Sequence, residues 1–236
     1  MFIIGHRGAR GLKPENTAAS LRAGLEADVD MLEFDVRLTK DKVPVLLHDV
    51  HLLRTHKIPQ LIGRMRYNDL KKRTAKVINP VTTLDNVLKE FKGRVLLNLE
   101  LKDRGSAAKI LPIIKNYIKS PDDWEIFLFS SFRTRELKKI RKSAPKAQLA
   151  QLVWLEPIGF AFTHRQINLT AVGFHRLHVN TFTVTLAKKL GLFTYAYTVN
   201  RPHAAERLAR LGIDGIVTDY PDLIRKHFDK LDKSSR

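Results

Sequence analysis

Short apolar runs alternate with amphipathic stretches from one end of the chain to the other. The apolar runs predict strands over residues 2–5, 31–36, 43–47, 95–101, 126–130, 149–153, 171–174, 193–199 and 215–218, with a less distinct strand over 177–179. The amphipathic stretches predict helices over residues 18–27, 84–91, 107–118, 135–143, 186–190, 204–211 and 223–231. Asn16 is placed to cap the first helix. Strands that alternate with helices indicate parallel strands joined by right-handed crossovers.

The number of these units favours a closed barrel. About eight strand–helix units within 236 residues predict a (β/α)8 TIM barrel, a fold that typically takes about 250 residues. An open doubly wound sheet is disfavoured, because no glycine-rich phosphate-binding loop follows the first strand. We expect a single domain over residues 1–231 and a disordered tail over 232–236. Residues 49–83 are too many for a simple loop, so they predict a short excursion over the barrel mouth after the second strand region.

Composition narrows the setting in which the protein works. The chain has no cysteine, which excludes disulfides and thiolate metal sites and favours a reducing compartment. No apolar run approaches the roughly 20 residues of a membrane span. The first residues also lack the basic and apolar regions of a secretion signal. We therefore expect a soluble, cytoplasmic protein.

The net charge of +18 predicts an anionic partner. Candidates are a small phosphodiester substrate, an anionic membrane surface and a nucleic acid. The basic residues are scattered along the chain, and their densest cluster, over 133–142, is typical of a solvated helix face. This distribution disfavours nucleic acid and leaves the membrane surface open. No feature of the pattern predicts an oligomeric state.

Two predicted strands carry carboxylates at alternate positions. Glu33 and Asp35 share one face of their strand, and Glu100 shares a face with Asn98 and Lys102 on another. Inside a barrel, neighbouring carboxylates repel one another unless a cation lies between them. Three convergent carboxylates form an all-oxygen site, which suits Mg²⁺, Ca²⁺ or Mn²⁺ better than Zn²⁺.

Two histidines directly follow apolar runs. If both runs end at one face of the sheet, His6 and His48 face the same cleft and can divide acid and base roles across a phosphodiester. Arg7 and Lys102 would supply positive charge against the phosphoryl oxygens. The alternative for these two cations is a salt bridge to the same acids. For any single histidine, the alternative is a structural hydrogen bond.

A family resemblance extends over nearly the whole chain. It is carried, in order, by Gly5-His6-Arg7-Gly8, Pro14-Glu15-Asn16-Thr17, Glu33-Phe34-Asp35-Val36, Pro44-Val45-Leu46-Leu47-His48-Asp49, Leu99-Glu100-Leu101-Lys102, Thr198-Val199-Asn200 and Asp214-Gly215-Ile216-Val217-Thr218-Asp219-Tyr220-Pro221. Together these segments closely resemble the signature of glycerophosphodiester phosphodiesterases. The resemblance implies a (β/α)8 barrel that hydrolyses glycerophosphodiesters to sn-glycerol 3-phosphate and an alcohol.

The resemblance also implies roles for nine side chains. The implied roles are an acid–base pair in His6 and His48, divalent metal ligands in Glu33, Asp35 and Glu100, phosphate binding by Arg7 and Lys102, and a pocket wall that includes Tyr197 and Asn200. The implied metal is Mg²⁺ or Ca²⁺, with Mn²⁺ as a further option. The family usually has Trp where this chain has Tyr197, which leaves the preferred alcohol open.

Two other functions compete with this interpretation. A phosphodiesterase that resembles lysophospholipase D would act on lysophospholipids, and an exposed apolar rim around the barrel mouth would favour it. A non-catalytic module that binds phosphate or membranes is disfavoured, because such a module does not need an acid–base pair.

Overall fold

Eight parallel strands close into a barrel in the computed structural model, which describes residues 1–75, 80–154 and 158–234. The strands are β1 (Phe2–Gly5), β2 (Met31–Leu38), β3 (Pro44–Leu46), β4 (Leu96–Leu101), β5 (Phe127–Ser131), β6 (Gln148–Val153), β7 (Ala171–His175), β8 (Phe193–Tyr197) and β9 (Gly215–Thr218). All but β3 belong to the barrel, which closes where β1 pairs with both β2 and β9. The predicted TIM barrel is confirmed.

Helices surround the barrel and follow its strands. They are α1 (Ala18–Glu26), α2 (Leu53–His56), α3 (Tyr67–Thr74), α4 (Leu84–Phe91), α5 (Ser106–Lys115), α6 (Thr134–Ser143), α7 (Gly159–Ile167), α8 (Thr181–Lys189), α9 (Pro202–Arg210) and α10 (Pro221–Ser234). Short 3-10 helices cover Ile62–Arg64 and Pro121–Ile126. None of the described helices combines the length and the apolarity that crossing a bilayer requires.

The main apolar core lies between the strands and the helices. On β2, the side chains of Leu32, Phe34 and Val36 are fully buried in this core. Because side chains alternate along a strand, Glu33 and Asp35 on the same strand face the barrel interior. The interior itself is filled by a smaller apolar cluster, and the acids lie toward its carboxyl-terminal end.

The predicted strand at 43–47 forms, but it is not a barrel strand. As β3 it lies antiparallel to β2, with Pro44 opposite Leu38 and Leu46 opposite Val36. The chain reverses within a short turn, which can join only antiparallel strands. This hairpin brings the chain back toward the middle of β2, where the Leu47 N–H donates to the Asp35 carbonyl at 3.1 Å.

The predicted excursion has an apolar cluster of its own. Seven buried side chains form this cluster: Val45, Leu47, Leu52, Ile62, Met65, Leu70 and Val81. They pack the residue before α2, the first 3-10 helix and α3 against the β3 hairpin. Residues 76–79 lie outside the described residues. We call this cluster the excursion core.

Other local predictions differ from the structure. The α1 cap is Thr17, whose Oγ1 accepts the Ser20 N–H at 3.1 Å, rather than Asn16. Residues 177–179 form a turn and bend instead of a strand, and α7 was not predicted. The closing helix α10 continues through 232–234, where the sequence predicted a disordered tail; residues 235 and 236 lie outside the described residues.

Candidate active site

Three carboxylates meet at the carboxyl-terminal end of the barrel. In the register of β2 and β4, Asp35 lies opposite Glu100 and Glu33 opposite Asn98. Carboxylate oxygens of Glu33, Asp35 and Glu100 lie within 4.8 Å of one another. Glu33 and Asp35 are buried, and the Glu100 side chain is 13% exposed. The structure therefore brings together the three acids that the sequence singled out.

The electrostatics of this cluster favour a bound cation. Burial and the charges of Asp35 and Glu100 raise the pKa of Glu33 well above its ordinary value. Burial likewise raises the pKa of Glu100 to about 7, against the lowering effect of Lys102. The buried Glu33 Oε1 has no hydrogen-bond partner within the described part of the chain. Three crowded carboxylates with one free oxygen fit a divalent ion with oxygen ligands.

Arg7 and Lys102 both contact this cluster. Lys102 Nζ lies 2.9 Å from Asp35 Oδ1 and 2.5 Å from Glu100 Oε1. Arg7 Nε lies 3.2 Å from Asp35 Oδ2, and the Arg7 backbone N–H donates to Glu33 Oε2 at 2.8 Å. Burial would raise the pKa of Asp35, but these two cations hold it below its usual range. Both cations thus form the salt bridges that the sequence left as an alternative.

His6 lies directly after β1 and is oriented by Asp219. Its Nδ1 lies 2.6 Å from Asp219 Oδ1. Burial would raise the pKa of Asp219, but its hydrogen bonds to His6 and Asn200 lower it, so the carboxylate is ionised. An ionised carboxylate can only accept, hence Nδ1 carries the proton and Nε2 is the basic nitrogen. Burial lowers the pKa of His6, and Asp219 opposes that effect.

His48, which lies two residues after β3, has the same arrangement. Its Nδ1 lies 2.7 Å from Asp49 Oδ1. The hydrogen bond from Arg54 lowers the pKa of Asp49 to about 2, so this carboxylate is ionised as well. Burial lowers the pKa of His48, while the charge of Asp35 raises it. Asp35 acts in the same way on His6, so one carboxylate lies in electrostatic range of both imidazoles.

A chain of ion pairs connects the excursion to the barrel mouth. Arg54 Nε donates to Asp49 Oδ2 at 2.7 Å, and its Nη2 donates to Glu15 Oε1 at 2.6 Å. The same Glu15 oxygen accepts from Arg7 Nη1 at 2.8 Å. These contacts fix His48, on the hairpin, relative to Arg7 on the barrel.

Sequence reasoning missed the supporting role of Asn16. Its backbone is left-handed (φ 57°), and its side chain points at β2 instead of capping α1. Asn16 Nδ2 donates to Asp35 Oδ2 at 2.9 Å, and Asn16 Oδ1 accepts the Asp35 N–H at 3.0 Å. Glu15, Asn16 and Asp219 all lie within the segments that carry the family resemblance, which was the available signal.

The turn after β1 places the Arg7 backbone against Glu33. Arg7 and Gly8 both have positive φ, at 50° and 86°. A Cβ on Gly8 would lie 2.4 Å from the backbone carbon of Ser20. Only glycine allows α1 to approach the turn this closely.

A cavity opens above the acids. Its lining includes His6, Glu33, Glu100, Ser130 and Tyr197. The Tyr197 hydroxyl donates to the Val153 carbonyl at 2.9 Å, which fixes the ring at the cavity wall. Asn200, the other residue that the resemblance assigns to the wall, contacts Asp219: its Nδ2 donates to Asp219 Oδ2 at 2.7 Å.

Acids, imidazoles and cations at the carboxyl-terminal end of a (β/α)8 barrel define a barrel enzyme with its active site at the usual face of the fold. The model of the glycerophosphoryl diester phosphodiesterase family matches residues 6–223. The chain belongs to this family. It is therefore a phosphodiesterase and not the non-catalytic binding module considered above.

Individual relatives agree with this assignment. The chain is 29% identical to the glycerophosphodiester phosphodiesterase of Caldanaerobacter subterraneus, over 95% of this chain and 98% of that protein. It is 23% identical to lysophospholipase D GDPD3 of Mus musculus, over 99% of this chain and 84% of that protein. A phosphodiesterase from Oleispira antarctica, solved in complex with the product sn-glycerol-3-phosphate, superposes with a TM-score of 0.87 at 27% identity, covering 97% of both chains.

Proposed function

We propose that the protein hydrolyses glycerophosphodiesters to sn-glycerol 3-phosphate and an alcohol, with a divalent metal held by Glu33, Asp35 and Glu100. The observation that carries the proposal is the convergence of these carboxylates within 4.8 Å, together with two carboxylate-oriented imidazoles that both feel the charge of Asp35. The product bound by the Oleispira relative supports the same substrate class. The proposed metal is Mg²⁺ or Ca²⁺, with Mn²⁺ as a further option, because all three ligands are hard oxygens.

In this proposal His6 and His48 are the acid–base pair. Each has its Nδ1 proton held by an aspartate, so each presents Nε2 to the substrate. One Nε2 takes a proton from the attacking hydroxyl, and the other, protonated, gives a proton to the leaving alcohol. The aspartates Asp219 and Asp49 keep the rings in the required tautomer.

Arg7 and Lys102 are proposed to bind the phosphate. Both are mostly buried cations at the acid cluster, so their positions are fixed before the substrate arrives. When bound, a divalent ion would neutralise the acids and withdraw charge from a phosphoryl oxygen. The role of the two cations is to meet the remaining phosphoryl oxygens.

The test combines metal removal with substrate profiling. We expect EDTA to abolish release of sn-glycerol 3-phosphate from glycerophosphocholine, glycerophosphoethanolamine and glycerophosphoglycerol, and Mg²⁺, Ca²⁺ or Mn²⁺ to restore it. His6→Ala and His48→Ala should each lose on the order of 10²–10⁴ in kcat. His203→Ala is the matched control, since this side chain is 91% exposed on α9. Full activity after exhaustive chelation would refute the metal role.

Lysophospholipids are a second candidate substrate. The favouring observation is a set of exposed apolar side chains beside the barrel mouth, among them Trp154 and Phe182. The lysophospholipase D relative from mouse supports it as well. Release of choline from lysophosphatidylcholine, compared with release from glycerophosphocholine under the same conditions, distinguishes the two substrate classes.

A further inference from the structure

Six large apolar side chains are exposed along one arc of the barrel mouth. We call them the apolar rim: Phe132, Trp154, Ile158, Phe162, Leu177 and Phe182, each 44% exposed or more. Each follows the carboxyl end of a strand or lies in the first half of the next helix, between β5 and α8. Parallel strands of a barrel end at one face, so the apolar rim and the active site share that face. Apolar side chains exposed together in this way mark an interaction surface.

The apolar rim is continuous with the active-site cavity. The rings of Phe132 and Tyr197 meet edge to face, with their centroids 6.1 Å apart. Tyr197 in turn meets His175 at 5.9 Å, and His175 packs on Trp154 at 4.3 Å. Because Tyr197 lines the cavity, an aromatic path leads from the acid cluster to the exposed rim.

The part of the chain from β5 to α8 carries a large excess of positive charge. Residues 127–190 contain eleven Lys and Arg but two acids, Glu136 and Glu156, so this quarter of the chain carries +9 of the net +18. The Glu136 carboxylate is buried and accepts the backbone N–H groups of Gly105 and Ala107. Of these cations, Arg133, Arg135 and Arg176 lie at the end of the barrel that carries the apolar rim. The last turns of α6, α7 and α8, at the opposite end, hold Arg141, Lys142, Arg165, Lys188 and Lys189.

Two exposed arginines flank the apolar rim directly. Arg133 Nε donates to the Lys102 carbonyl at 2.8 Å, next to Phe132. Arg176 Nη1 donates to the Thr198 carbonyl at 2.8 Å, next to Leu177. Both carbonyls lie just past barrel strands, so these contacts hold the two guanidinium groups at the mouth. Apolar side chains between cations that are held in place fit the surface of a phospholipid bilayer, in which the phosphate groups lie outside the acyl chains.

We propose that the apolar rim, with Arg133 and Arg176, is a docking surface for an anionic phospholipid bilayer. The proposal rests on the proposed function, because a barrel docked on a bilayer would take up the headgroups of lysophospholipid substrates directly from that bilayer. Docking buries the rim side chains at the level of the headgroups, while the two arginines meet lipid phosphates.

Vesicle binding tests the docking surface without reference to catalysis. We expect the protein to co-sediment at low salt with vesicles of phosphatidylcholine and phosphatidylglycerol, and much less with phosphatidylcholine alone. The triple variant Phe162→Ser, Leu177→Ser, Phe182→Ser should partition at least about a hundredfold more weakly, since each side chain loses its buried apolar area. The matched control is Leu211→Ser, an exposed leucine after α9 on the opposite end of the barrel.

The contribution of the two arginines is tested with a double variant and its own control. Arg133→Gln with Arg176→Gln should remove most of the preference for anionic vesicles, whereas Lys146→Gln, between α6 and β6 on the opposite end of the barrel, should not.

Equal binding of the triple variant and the wild type would overturn the proposal, because charge alone would then explain binding. Absence of binding to anionic vesicles would overturn it too. So would dimerisation through the rim, seen in sedimentation as a wild-type dimer and a monomeric triple variant.

Activity separates this proposal from the proposed function. The triple variant should turn over soluble glycerophosphocholine within about twofold of the wild type, because its three side chains do not line the cavity. A wild-type protein that binds vesicles but cleaves no phosphodiester would refute the function and leave the docking surface intact.

Discussion

Replacement of Asp219 by asparagine is expected to disable His6 by moving the proton on its ring. Asn200 Oδ1 accepts the backbone N–H of residue 219 at 2.9 Å, so Asn200 must direct its Nδ2 at the 219 side chain. An asparagine at 219 would therefore turn its carbonyl oxygen toward Asn200 and its NH₂ group toward His6 Nδ1. Nδ1 would then accept instead of donate, and the proton would move to Nε2. A protonated Nε2 on a neutral ring has no lone pair for a substrate proton.

The expected loss is that of one acid–base group. Such a loss is on the order of 10²–10⁴ in kcat, which corresponds to roughly 3–5 kcal/mol of transition-state stabilisation. Folding should persist, because Asp219→Asn preserves size and keeps the hydrogen bond to Asn200. The new NH₂ group would face Arg10 Nε, now 3.0 Å from Asp219 Oδ1, but this arginine is 36% exposed and can turn toward water.

The pH dependence of activity shows whether Asp219→Asn lowers kcat by changing His6. Asp219 raises the pKa of His6 against the lowering by burial, so its loss should move the His6 limb of the profile to lower pH. Asp122→Asn, on the exposed second 3-10 helix, is the matched control. A variant that keeps kcat within about threefold of the wild type, with both limbs unmoved, would refute the reasoning.

Three further predictions concern the metal, pH and the turn. Excess metal should restore part of the activity of Glu100→Gln but not of Lys102→Met, which should lose roughly 2–4 kcal/mol of transition-state stabilisation; the opposite pattern in a metal titration would reverse the two roles. Burial raises the pKa of Glu100 from 4.5 to about 7, so the metal-free protein should lose stability as pH rises from about 4.5 to about 7. Added Mg²⁺ should therefore raise Tm more at about pH 8 than at about pH 5, and an equal rise would contradict the prediction. Gly8→Ala should cost roughly 1–3 kcal/mol in denaturant unfolding, while Gly63→Ala, whose Cβ would meet nothing within 4 Å, should cost less.

The sequence predicted the barrel and its acid cluster because both depend on periodicity. Alternation along β2 places Glu33 and Asp35 on one face whatever the tertiary contacts are. The helix α7 was missed because it starts at Gly159, within a Pro157-Ile158-Gly159 segment that has the composition of a turn. Asn16 was assigned to a cap because capping is a local rule, whereas its contact with Asp35 joins residues 19 apart.

The geometry around the histidines could not be obtained from the pattern. Strand 43–47 reads as one more barrel strand, and only the pairing of β3 with β2 shows that His48 arrives on an antiparallel hairpin. The apolar rim was invisible for a similar reason. Phe182 and Trp154 look like core residues in the sequence, and their exposure depends on how each helix meets the barrel.

Because of the excursion core, the enzyme should lose activity at a lower temperature than the one at which its barrel unfolds. His48 and Arg54 depend on this small cluster, while the other acid–base residue, His6, depends on the barrel. Small clusters bury little apolar surface and open at lower free energy than the main core. On heating, turnover should therefore disappear while the barrel still gives its full helical signal, and should return on cooling. The temperature at which activity is lost is then set by seven side chains outside the barrel, and repacking them would raise it without any change to the eight barrel strands.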